Sequence, residues 1–82
     1  MEPLEPLQAA VASEIRRLDI RCGPVTIDPV HGIVVVDDVT SPWGPRTALA
    51  AALRRARLHV DVDATHSGYR FCVHAEGGPA GV

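Results

Sequence analysis

Hydrophobic positions at the start of the chain recur at helical spacing. Leu4, Leu7, Val11, Ile15 and Leu18 fall on one narrow stripe, while Gln8, Ser13, Arg16 and Arg17 fall elsewhere. This predicts an amphipathic helix over residues 4–19. Pro3 and Pro6 suit a first turn, whose amide donors have no intrahelical partner, and Glu2 and Glu5 sit favourably at the positive end of the helix dipole. Gly23-Pro24 breaks the pattern. Val25 to Asp28 then reads as a short strand, and Asp28-Pro29-Val30-His31-Gly32 as a tight connection rich in turn formers. Ile33-Val34-Val35-Val36 is the most β-branched run in the chain and predicts a second strand ending at Asp37-Asp38. The two strands should pair as a hairpin, with Ile20 to Cys22 extending the first beyond a bulge at Gly23.

The second half repeats the order. Thr40 to Pro45 is a loop in which Ser41-Pro42 forms a plausible helix N-cap and first position. A helix is expected from there, or from Pro45, to about Arg57, with Leu49, Ala52, Leu53 and Ala56 as its buried stripe. Leu58, Val60 and Val62 alternate with His59, Asp61 and Asp63, the signature of a half-buried strand. After a turn at Thr65-His66-Ser67-Gly68, Tyr69, Phe71 and Val73 alternate with Arg70, Cys72 and His74. Residues 77–82 offer nothing to pack and are expected to form a disordered tail.

These elements define one α+β domain over residues 1–76, in the order αββαββ. The expected architecture is a two-layer sandwich with two helices on one face of a four-stranded antiparallel sheet. Two origins fit: a duplicated αββ unit of about 38 residues, or a permuted ferredoxin-like order. Val11, Ile15, Arg16 and Arg17 match Leu49, Leu53, Arg54 and Arg55 at a constant offset, which is the only trace of duplication. Either origin leaves one sheet face without helices. The run Ile33 to Val36 is apolar on both faces, as in strands covered on both sides. Val34 and Val36 are therefore expected on the open face, as an interface for a second copy of the chain or for a larger protein partner.

Size strengthens that expectation. An 82-residue chain buries only roughly 60% of the surface its unfolded form exposes, and two cysteines are too few for a disulfide framework. The formal charge of −2 is close to neutral, unlike the basic excess of most nucleic-acid modules. All eight basic residues are Arg and none is Lys, a usage that suits a GC-rich genome such as an actinobacterial one. The acidic start, Met1 to Pro6, has no basic region followed by an apolar one. No apolar run approaches the ~18 residues of a membrane span. A cytoplasmic location with reduced cysteines is expected, and no membrane partner.

Three constellations carry candidate chemistry. With a turn over 65–68, the ladder sets His59 opposite His74 and Asp61 opposite Cys72, a candidate set of metal ligands; the simpler reading is a polar outer face. Arg54, Arg55 and Arg57 end the second helix and could grip phosphate, although cations there also suit the helix dipole. Trp43, in a Pro/Gly loop, is either a lid on the core or an interface anchor. His31 and His66 in turns, the acidic pairs Asp37-Asp38 and Asp61-x-Asp63, and the thiols of Cys22 and Cys72 read as solvated or inert groups. No glycine-rich phosphate loop, CxxC pair or catalytic triad order is present, so no cofactor and no catalytic residue are expected. The leading functional expectation is a non-enzymatic interaction or regulatory module, acting as a homodimer or accessory subunit. A nucleic-acid-binding regulator and a small metal-binding protein or enzyme are the alternatives.

Overall fold

A computed structural model describes residues 4–75; the expected C-terminal tail lies outside the described residues. The order is α1 (Glu5–Arg17), β1 (Val25–Asp28), β2 (Ile33–Val39), α2 (Trp43–Arg55), β3 (Leu58–Ala64) and β4 (Tyr69–Ala75). The strands form one antiparallel sheet in the order β1-β2-β4-β3. Val11 of α1, Leu49 and Leu53 of α2, and Val34, Val36, Val60, Phe71 and Val73 of the sheet form one buried cluster. Both helices therefore cover the same face, giving the two-layer α+β sandwich. The helices have 13 residues each and begin at Glu5 and Trp43, 38 positions apart. The Val35↔Cys72 pair lies at the middle of the sheet. This strand order fits a duplicated αββ unit and a permuted ferredoxin-like arrangement equally, and the halves differ in that β1 has four residues and β3 has seven.

Local chemistry explains the boundaries. α1 ends in a Schellman motif: the Ile20 amide donates to the Ile15 carbonyl and the Asp19 amide to that of Arg16. Asp19 takes the left-handed position (φ 54°), which Asp tolerates better than most residues. In the first hairpin the Asp28 carboxylate accepts from the amides of Val30 and His31, and Gly32 turns the chain at φ 67°. Ser41 does not cap α2. It is buried, and its hydroxyl accepts from the Arg21 amide at 2.7 Å, tying the loop after β2 to the one before β1. Pro42 takes the N-cap position instead. Arg57, just past α2, is left-handed (φ 65°), so the helix stops two residues before the expected Arg57.

The second strand does not end at Asp37-Asp38. It continues to Val39 through an irregularity between Val36 and Val39, with Asp38 at φ 51°. This bulge has a decisive effect on facing. Val34, Val36 and Val39 all point into the core and are fully buried. The expected placement of Val34 and Val36 on the open face is overturned: both are 0% exposed, under the helices. Ile20 to Cys22 do not extend the first strand, which begins at Val25, and two side-chain placements also fail. Ala56 is exposed at the end of α2, and Val62 is 41% exposed on the edge strand.

On each edge strand one backbone carbonyl is taken by a helix side chain. Gln8 of α1 donates to the Val25 carbonyl on β1 at 2.8 Å, and Arg54 of α2 donates to the Val60 carbonyl on β3 at 3.1 Å. Such contacts blunt an edge against strand addition. Gly68 closes the second hairpin against the bulge, where a Cβ would lie 2.6 Å from the Val39 carbonyl oxygen. Replacing Gly68 with Ala should therefore force the two segments apart at about 1–3 kcal/mol. Urea unfolding reads this directly, and an unchanged midpoint would contradict the close approach.

Candidate functional site

Alternation along four strands puts a defined set of side chains on the helix-free face. Register aligns Thr26, Val35, Cys72 and Asp61 across the whole sheet. On one side of that row, Asp28 pairs with Ile33 and His59 with His74; on the other, Asp63 pairs with Arg70. Arg70 Nε donates to Asp37 Oδ1 at 2.6 Å. Ile33, Val35 and Cys72 are half-buried at the centre. Asp28, Asp37, Asp61 and Asp63 surround them, and two shallow depressions run over Ile33 and Cys72. The face is thus an apolar patch within a mostly acidic rim.

The expected His59–His74 pairing is present. The rings stack with centroids 4.6 Å apart and planes inclined by 26°. Asp61 Oδ1 lies 3.4 Å from His59 Nε2. One ligand atom from each of His59, Asp61 and His74 falls within 4.8 Å of the others. His74 Nδ1 lies 3.1 Å from the Ala75 carbonyl oxygen. A carbonyl only accepts, so this contact places the proton on Nδ1 and leaves Nε2 with a free lone pair. Cys72 does not join the group, contrary to the expected four-residue set. It stands opposite Asp61 in register, but its thiol is outside the converging atoms. Burial raises its pKa, and the Asp63 carboxylate pushes in the same direction. Burial alone raises that of Cys22. Neither thiol is activated as a nucleophile.

At the rim, the His31 ring donates to the Asp28 carboxylate at 2.8 Å. That hydrogen bond, aided by the His31 and Val30 amides, holds the Asp28 carboxyl below the usual Asp range. A depressed folded pKa stabilises the turn above the unfolded value, and the contribution is lost as pH falls through the folded value. Acid titration followed by carboxyl NMR should show Asp28 protonating at lower pH than Asp in an unfolded reference peptide. Coincident titrations would remove this account.

The remaining candidates are dispersed. Arg54 is tied to Val60 on the sheet edge. Arg55 lines the groove between the helices beside Glu14 and Arg17, which are paired to each other. Arg57 is exposed at its left-handed position. Arg46 lies over the Tyr69 ring, 3.9 Å from its centroid, and donates to the Ser41 carbonyl. The helix-end arginines therefore form no shared cradle through these contacts. Trp43 is 70% exposed at the start of α2, which overturns its reading as a core lid. The residues missed in the sequence are Ile33 and Val35, the apolar centre of the open face. Counting back in twos from Asp37, which reaches that face, would have found them.

No helix among the described residues is long and apolar enough to cross a membrane. No family model, curated protein or solved structure matches the chain.

Proposed function

We propose that the protein is a non-enzymatic interaction module that docks a different protein on its helix-free sheet face. The observation that supports this reading is the apolar centre of Ile33, Val35 and Cys72 inside a rim of Asp28, Asp37, Asp61 and Asp63, with Arg70 as the single guanidinium. Apolar surface framed mainly by carboxylates favours a partner with a matching apolar centre and a mainly basic rim. It disfavours a second copy on the same face, because two acid-rich faces would oppose each other across a closely packed interface. A helix side chain on one carbonyl of each edge strand, at Val25 and Val60, hinders strand addition and so favours docking on the face.

A defined probe tests the reading without knowledge of the natural partner. An amphipathic peptide with an apolar face flanked by Arg should shift the NMR signals of β2 and β4 around Ile33, Val35 and Cys72. The same peptide with Glu for Arg should not. Ile33→Ser with Val35→Ser should weaken binding of the basic peptide, and added salt should weaken it further. Equal response to both peptides, or shifts confined to the helices, overturns the reading. So does a salt-stable dimer by light scattering whose interface protects Ile33 and Val35.

A further inference from the structure

We infer that His59, Asp61 and His74 form a mononuclear binding site for a borderline transition-metal dication, with Zn2+ the reference ion. This rests on donor geometry and shares only Asp61 with the docking residues above.

The backbone builds the site. His59 and Asp61 are two residues apart on β3 and share its open face, while His74 is directly opposite His59 on β4. Side chains so placed are held close by the ladder. Their donor atoms already converge within 4.8 Å. Around a tetrahedral ion with bonds of about 2.0–2.1 Å, neighbouring ligand atoms lie roughly 3.4 Å apart. The remaining contraction is on the order of 1 Å, within reach of side-chain torsions in residues that keep contact with solvent.

The donor set selects the ion. Two imidazole nitrogens and one carboxylate suit Zn2+, Co2+ or Ni2+, whereas the hard ions Ca2+ and Mg2+ take oxygen ligands and gain little from two imidazoles. The His74 ring has the orienting contact common to metal-bound histidines. Its Nδ1–H donates to the Ala75 carbonyl, which leaves Nε2 as the nitrogen free to ligate. The stacked His59 ring already has Nε2 turned toward Asp61. A solvated polar face would account for each residue singly but does not require three donors of complementary type to converge on one point. Three protein ligands leave a fourth position for water or an incoming group, so the site is of the open kind.

The experiment uses the untagged full chain, stripped of metal and titrated with ZnCl2. Calorimetry should give one equivalent bound, and NMR shifts in the imidazole and carboxyl signals should centre on His59, Asp61 and His74. His59→Ala and His74→Ala should each weaken binding by at least about 10-fold, and Asp61→Asn should weaken it as well. His31→Ala and His66→Ala should leave it unchanged, and excess Mg2+ should not compete. Circular dichroism confirms that each variant is folded. If one is not, the shift map of the unaltered chain decides alone. Dissociation constants weaker than about 100 µM, shifts centred on His31 or His66, or binding that survives loss of both His59 and His74 would each overturn the assignment.

Discussion

Val34→Asp should leave the domain unfolded at neutral pH, whereas Val35→Asp, one residue along the same strand, should fold. Val34 is fully buried between Ile27 of β1 and Val73 of β4, beneath the helices. A carboxylate there loses its hydration and gains no cationic partner, a cost of at least several kcal/mol. A single core in a domain of this size rarely supplies more than about 3–5 kcal/mol in total. The substitution therefore exceeds what the fold can absorb. Val35 sits between Thr26 and Cys72 on the open face, where a carboxylate reaches water. Its cost should be the strand-propensity span, about 1 kcal/mol, plus repulsion from the neighbouring carboxylates that water and salt screen, well below that of Val34→Asp. Far-UV circular dichroism with urea titration separates the two outcomes. Native-like stability in Val34→Asp together with collapse of Val35→Asp would mean that β2 presents its faces the other way round.

That pair of residues also shows where the sequence is legible and where it is not. Strict alternation in Leu58–Val60 and Tyr69–Val73 fixes which side chains of β3 and β4 reach water, and with the short turn between them it sets His59 opposite His74. A run of four β-branched residues carries no alternation, so its facing must be read from its neighbours. The neighbours of Val36 are Asp37 and Asp38, and they give opposite answers. Counting back in twos from Asp38 puts Val36 and Val34 outside; counting from Asp37 puts Val35 and Ile33 outside. The bulge, with Asp38 left-handed, resolves the conflict, because it lets Asp37 reach the open face and Val39 still enter the core. A bulge depends on tertiary contacts such as the Ser67 hydroxyl donating to Asp38 and the bare Gly68 against Val39. Those contacts lie about 30 residues away in the chain, beyond the reach of local pattern. Trp43 fails for a related reason: its Pro/Gly setting specifies a turn but not which way the ring points. The helix-end arginines were legible as a cluster in sequence, yet Arg54 is drawn to an edge carbonyl, a demand visible only once β3 is known to be an edge strand.

Phe71→Ala should cost about 3–5 kcal/mol, enough to leave a large fraction of the chain unfolded at room temperature. Phe71 is the largest fully buried side chain and lies on the interior strand β4 between Val36 and Val62. Val62→Ala, on the same cross-strand row but 41% exposed, should cost well under half as much, since surface truncations leave no cavity. Comparable costs at the two positions would contradict the packing. The same destabilised variant amplifies any ligand that needs the native sheet. Cys72 and His74 follow Phe71 on β4, so their positions relative to Asp61 and His59 exist only while that strand is paired. A dication held by His59, Asp61 and His74 binds the folded form, and at 100 times its dissociation constant it adds about 2.7 kcal/mol of stability. Zn2+ should accordingly refold much of the Phe71→Ala population. The recovery should vanish when His59→Ala and His74→Ala are added, because the ion then has nothing that distinguishes the native sheet from the open chain.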